Sequence, residues 1–327
     1  MAPNRPLTLA AELPERYGEF DVLASTIDHQ GRLVALLVDP RRHTAPGQHW
    51  RLPVVRYDAV AVICDGRAVH EIALRDLDQW FSEIDTVGDG VVIAAARCHP
   101  VDIDYERWLD SIPEEEFRLP ANLRIFDADG KALAAFYIGD AIEQLMSDPY
   151  GRIWTGYFDE SSYWAPNPDG TRSHVSMPGL ARWDSSGTPW FAPPHTPGVV
   201  WMDCYAMNVG RDSVYACPYT DFPLVEIDSS DTAVVTPNPV TRCGGLAVSG
   251  PDLAFLDQRR DGEGYRWEIR RASRGNGTIT ETTREPLLLP GGRQPNGWAR
   301  GKIGRDETLW MREDGDERRW YRYELEG

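Results

Sequence analysis

The sequence predicts an all-β fold: a six-bladed β-propeller of four-stranded blades, its ring closed by the N-terminal strand pairing into the last blade. Three observations predict it. A turn rich in Gly, Asp or Asn that leads into a short apolar run recurs six times along the 327 residues. Strand-like runs stand before and after each of these turns, making four per repeat. The last repeat ends one strand short, and a strand-like run near the N-terminus is left over to fill the gap.

The six recurring segments are IDHQGRLVALLV, VGDGVVIAAAR, SDPYGRIWTGYFD, NVGRDSVYACPY, VSGPDLAFLDQ and IGRDETLWMRE. Each reads as a tight hairpin into a second strand. The inner strands before them are FDVLASTI, WFSEIDTV, AIEQLMS, DCYAMNV, GLAVS and NGWARGKI. Third and outer strands follow as further hairpins, for example LRIFDADGKALAAFYI and LVEIDSSDTAVVTP. The final repeat stops at RRWYRYELEG, and PLTLAAEL precedes the first inner strand just as outer strands precede inner strands elsewhere. Pairing the two ends protects the edge that an open radial array would expose. Second strands begin at Leu33, Val91, Ile153, Val214, Leu253 and Leu309, an irregular period close to that of propeller blades. The expected blades span about 20–73, 80–137, 142–191, 203–236, 244–283 and 296–323 with 7–12, in a single domain over 1–327.

Composition fits a folded, turn-rich chain: 42% hydrophobic, 26% charged, 29 Gly and 25 Pro. No run approaches the roughly 18 apolar residues of a membrane span. The first residues lack a basic stretch followed by an apolar core, so a cytoplasmic protein is expected. The five cysteines are scattered without a CxxC pair, which suggests buried thiols rather than a disulfide framework or zinc knuckle. A net charge of −17 disfavours nucleic acid and anionic membranes as partners. It suits a cation or a basic partner.

The extra residues fall mainly in loops between second and third strands and in one crossover between blades, which four-stranded topology places on a single face. They include DPRRHTAPGQHWRLPVVRYD, RCHPVDIDYERWLDSIPEEEFRLPA, DESSYWAPNPDGTRSHVSMP and APPHTPGVVW. Loops of this length are uncommon and usually functional or disordered. Their Trp50, Trp108, Tyr163, Trp164 and Trp201 favour function, and they hold His43, His49, His99, His174 and His195. Ile103, Trp108 and Ile112 are near helical spacing, so 97–121 is a candidate helical insertion on this face. Trp50, Tyr163, Trp164, Trp201 and Trp298 are the candidate pocket walls.

Polar residues near the starts of inner strands would face the axis on the same side. Asp21, Asp140, Asp203 and Asn296 occupy those places, with Gly244 and Gly245 in the fifth repeat. Carboxylates gathered there call for a cation, a basic ligand or raised pKa values, and a hard cation such as calcium is the natural occupant. A second set of acids ends the second strands: Asp39, Asp159 with Glu160, Asp221, Asp257 and Glu313. An Asp at a strand end also caps the turn that follows. His174 and His195 are candidate acid–base groups, with Asp159 and Glu160 beside them in the catalytic set. No nucleophile elbow, phosphate loop, HExxH or dinucleotide fingerprint occurs, so no cofactor site beyond a cation is expected.

The stretch QPNGWARGKIGRDETLWMRE resembles the PNGxxxSxDGxxLYxxD repeat of the SMP-30/gluconolactonase-like and NHL-like propellers. SDPYGRIWTGYFD resembles their DxxGRxWxGxxD segment. The resemblance puts Asn296 at a metal-binding Asn and Asp203 near a metal-binding Asp. It implies a divalent-metal site in the channel, a hydrolytic or acid–base step, and lactone-like substrates. The early Glu of that family's EGPxW segment is absent, EFDVLAS with Asp21 standing there instead, and Cys204 follows Asp203 where the family has Gly.

Three functions are therefore weighed. One is a small-molecule-processing propeller, a metal-dependent hydrolase or lyase acting at the channel mouth. Another is an acidic, aromatic face that captures a basic peptide or protein. The third is a metal-free enzyme acting on a reactive small molecule in the channel.

Overall fold

Continuously apolar second strands such as Leu33–Val38 and Gly90–Ala94 are buried along their whole length, so both faces of these strands are packed. The computed structural model describes residues 5–43, 51–52, 56–66, 68–97, 99–100, 121–159, 179–191, 196, 199–262 and 264–325. Among them the fold is all-β, apart from a 3-10 turn at Glu15–Tyr17. No described helix is long and apolar enough to cross a membrane. The chain divides into two compact units, one comprising residues 14–28 and 32–192, the other 1–13, 29–31 and 193–327.

The N-terminal unit holds three antiparallel meanders of four strands. The first is Asp21–Ile27, Leu33–Val38, Tyr57–Asp65 and Ala68–Leu77; the second is Glu83–Val87, Gly90–Ala94, Leu123–Phe126 and Ala132–Phe136. The third is Ile142–Ser147, Ile153–Tyr157, Leu180–Trp183 and Pro189–Phe191. The period-2 rule for strands shows directly in the packing. In the second sheet Val91, Ile93 and Ala95 pack against the first sheet's Val34, Leu36 and Val38, whereas Val92 and Ala94 pack against the third sheet's Leu145 and Ile153.

The C-terminal unit also holds three four-stranded meanders, but the fourth and sixth run together in one eight-stranded sheet and the fifth gains a fifth strand. Its fourth sheet is Cys204–Val209, Ser213–Pro218, Leu224–Asp228 and Ala233–Thr236; its fifth is Gly245–Ser249, Asp252–Asp261, Gly264–Gly275 and Thr278–Leu288. In the sixth, Arg300–Arg305, Thr308–Arg312 and Arg319–Glu324 are joined by the N-terminal strand Thr8–Glu12, antiparallel to Arg319–Glu324. The expected pairing of the two chain ends is therefore present. The sequence does not anticipate that Arg5–Pro6 also pairs, in parallel, with Leu287 and Leu288 of the fifth sheet. Leu7 lies between these two pairings and is buried with Leu287, Leu289 and Tyr323.

The turns that join inner to second and third to outer strands are held by aspartates. Asp148 accepts hydrogen bonds from the N–H groups of Tyr150 and Arg152, the Arg152 guanidinium and the Trp154 indole. Asp127, Asp184 and Asp228 accept from the N–H groups two and four residues on. These are Asx-type turns.

At this turn end the inner strands of each unit are tied together. In the N-terminal unit the Ser147 N–H donates to Asp85 at 2.7 Å, its hydroxyl to the Thr86 carbonyl, and the Thr86 hydroxyl to Asp28 at 3.1 Å. In the C-terminal unit the Asn208 amide donates to the carbonyls of Leu246 at 3.0 Å and Asp306 at 2.8 Å. A single parallel bridge joins Asn208 to Gly304. A Cβ at Gly304 would lie 2.4 Å from the Leu246 carbonyl oxygen, so only glycine allows this approach.

Candidate small-molecule site

With the turn ends tied, the opposite loop ends are where inner strands begin, insertions leave and functional groups can be reached. Four inner strands bulge within their first residues. The register shifts between Val22 and Ala24, Ile142 and Gln144, Cys204 and Ala206, and Arg300 and Ile303. Bulges of this kind re-aim side chains and gather at functional rims. The insertions of the first two sheets also meet, through parallel pairing of Arg51–Leu52 with His99–Pro100. The rest of the candidate helical insertion, 101–120, lies outside the described residues.

Within the first sheet the loop end forms a pocket of about 320 Å³, of the size that holds a small ligand. Phe20 and Tyr17 form part of its wall, with Asp39, Arg41, His43, Asp58, Glu71 and Arg75 supplying polar groups. The segment DPRRH leaves the second strand here, and Asp58 opens the third. His43 Nε2 lies 3.6 Å from Asp58 and is part-exposed. Asp58 also accepts the Asp76 N–H at 3.0 Å and Arg75 at 2.5 Å. The Asp76 N–H and then Arg75 hold its carboxyl below the usual carboxylate range. The result is a histidine beside a firmly ionised carboxylate, open to a ligand-sized cavity.

The remaining pocket charges are paired. Asp39 accepts both the side chain and the N–H of Arg41. The Arg41 side-chain bond, ahead of the backbone bond, lowers its pKa to about 2. Tyr17 donates to Glu71 and accepts from Arg16 at 2.7 Å. Burial first, then the bond to Glu71, pushes the phenol up to about 12, so it stays protonated.

The sequence-derived candidates divide between the two units. In the N-terminal unit Asp21 opens the first inner strand and is exposed. Asp140 is fully buried, with Arg97 at 3.5 Å, and Arg97 in turn lies over the Phe158 ring at 4.4 Å. Asp159 is exposed just past its strand. In the C-terminal unit the Asp203 carbonyl accepts the Tyr219 N–H. Asn296 is exposed, and its N–H donates to Glu313, which also binds Arg293. Trp201 is buried, and its indole N–H has no partner. Trp298 is exposed against Tyr265, ring centroids 4.9 Å apart. His174, His195, Glu160, Trp50, Tyr163 and Trp164 lie outside the described residues.

Among the described residues no three His, Cys, Asp or Glu side chains stand close enough to share a metal ion. Asp140 is turned to a guanidinium, and the backbone of Asn296 is drawn to Glu313. Of the strand-end acids, Asp39 caps the turn that follows it, whereas Asp257 is held by the Arg259 side chain at 2.7 Å and Glu313 by the Arg293 side chain at 2.6 Å.

The His43–Asp58 pair is absent from the sequence-derived candidates. His43 counts only as one of five loop histidines, because nothing local brings Asp58 beside it. The available signal is a histidine just after a second strand and an acid at the start of the third, which antiparallel pairing sets side by side.

No family model matches the sequence, and no curated protein matches it. Among solved structures the chain is similar to virginiamycin B lyase from Staphylococcus aureus, at 11% identity and a TM-score of 0.46 over 98% of this chain and 99% of that one. It is similar to luciferin-regenerating enzyme at 11% and 0.41, covering 97% and 94% of the two chains. A gluconolactonase from Xanthomonas campestris matches at 14% and 0.39, covering 98% of each. These are propeller-like proteins.

Proposed function

We propose that the protein is a small-molecule-processing β-propeller. Its six four-stranded meanders are the blades of one ring, closed by Thr8–Glu12, and its chemistry lies on the loop side. The observation that carries this reading is the pocket of about 320 Å³ with His43 and Asp58 in its wall.

Neutral His43 takes a proton from water or from the substrate, and Asp58 holds the imidazole and stabilises the imidazolium that forms. Asp58 stays ionised through this cycle because the Asp76 N–H and Arg75 both favour its charged form. The same group returns the proton to a leaving oxygen or nitrogen, which is the acid–base work of a hydrolase or lyase. The lactone class implied by the sequence resemblance requires this. No step runs through a metal ion.

The test is proton release from a panel of five- and six-membered lactones and small esters, with thermal shift as a binding readout. Turnover is expected in the native chain, lost in His43→Gln and Asp58→Asn without a change in melting temperature. Equal turnover in both variants, or stabilisation by a basic peptide but by no small molecule, would overturn it.

A further inference from the structure

Three carboxylates line the His43 pocket, Asp39, Asp58 and Glu71, and each is met by an arginine. Arg41 donates to both oxygens of Asp39, from Nε at 2.8 Å and Nη2 at 2.9 Å. Its guanidinium also lies over the Phe20 ring, 6.0 Å from the centroid. Arg75 lies 2.5 Å from Asp58, and Arg16 lies 3.3 Å from Glu71. Arg42 lines the same pocket as a further cation, with no carboxylate of its own. It approaches Asp39 only to 3.7 Å, beyond hydrogen-bond reach of a carboxylate that Arg41 already occupies. Its side chain is 74% exposed, so its N–H groups are open to a ligand. A chain with a net charge of −17 therefore places a surplus guanidinium at this cavity.

Arg42 leaves from the same turn as His43. The N–H groups of both residues donate to the Asp39 carbonyl, at 3.0 and 3.1 Å, and the Arg41 N–H donates to the Asp39 carboxylate at 3.1 Å. One aspartate thus fixes the backbone from which the guanidinium and the imidazole both depart. Beside these charged groups, Phe20, Val60 and Ala73 supply carbon surface.

We infer that the pocket takes a small monocarboxylate, with Arg42 binding its carboxylate and His43 serving its reactive group. A guanidinium presents parallel N–H donors that match the two oxygens of a carboxylate. Phosphate is disfavoured because it brings a second negative charge against Asp39 and Asp58, which their donors keep ionised. The inference rests on the acid–base reading of His43 and names the substrate class for it, a lactone or ester that carries a carboxylate. Opening such a lactone adds water across the ring ester. The ring C–O bond breaks, a hydroxyl and a second carboxylate form, and one proton is released.

Binding and turnover are tested separately on the full chain. Binding is read by ligand-observed NMR titration with tetrahydrofuran-2-carboxylate, which has no ester to open, and with the neutral tetrahydrofuran-2-carboxamide. The native chain is expected to bind the acid about fivefold more tightly than the amide, the scale of one exposed ion pair. Arg42→Gln should erase that preference and Arg42→Lys should keep part of it. Arg260→Gln removes the same charge from an exposed position in the C-terminal unit and should keep all of it. Equal affinity for acid and amide in the native chain, or a preference undiminished in Arg42→Gln, would overturn the inference. Turnover is read by proton release from 5-oxotetrahydrofuran-2-carboxylate and its carboxamide, and Arg42→Gln should raise KM for the acid relative to the amide. Opening of both lactones at equal KM would leave the hydrolytic reading and overturn the carboxylate site. Binding of the acid through Arg42 without opening of either lactone would support the carboxylate site and overturn the hydrolytic reading.

Discussion

At the residue scale, aspartates divide sharply by what they hold. Asp148 is buried and satisfies four donors, among them the Trp154 indole. Asp184 makes a similar turn at the exposed outer edge, with acceptors aimed only at Ser186 and Thr188. Asp148→Ala is expected to cost about 2–4 kcal/mol and Asp184→Ala far less, because only the first leaves buried donors unpaired. Urea denaturation of the two variants checks the order. The turn role of these residues is legible in the sequence from the D-x-x-G spacing. Glu281 is a different case: its ion pair with Arg270 on the neighbouring strand depends on sheet register, while Arg284 lies on its own strand. The Arg270 bond, opposed by burial and joined by Arg284, lowers its pKa from 4.5 to about 2. A carboxylate with a depressed folded pKa stabilises fully above its unfolded value and loses that contribution as pH falls through the folded one. Glu281→Gln should therefore flatten the fall in stability between pH 4.5 and 2, measured by melting at stepped pH.

At the element scale, the N-terminal segment does two jobs where the sequence shows one. The run PLTLAAEL was assignable as the missing outer strand because one repeat lacked a strand and one strand lacked a repeat. Its preceding residues Arg5–Pro6 carry no such pattern, and their pairing with Leu287 and Leu288 follows only once the fifth and sixth sheets lie side by side. Deleting residues 1–12 uncovers the edge strand Arg319–Glu324 and the outer strand of the fifth sheet together. Unpaired strand edges recruit other chains. The truncated protein is expected to melt at lower temperature and to self-associate, seen by light scattering. The bulges of the inner strands are also invisible in the sequence, since a bulge is a mismatch between two strands rather than a property of one.

At the scale of the whole molecule, turn chemistry, period-2 alternation and the count of strands are written in neighbouring residues, so the sequence alone determined the all-β class, the four-stranded repeats and the strand supplied by the N-terminus. Tertiary structure decided which side chains meet. Asp140 meets Arg97, and Asp58 meets His43. The physical reason is one of range. Hydrogen-bonded turns and strand patterns act over a few residues, whereas a pocket is made by groups far apart in the chain, whose approach depends on sheet register, bulges and the packing of one sheet on the next.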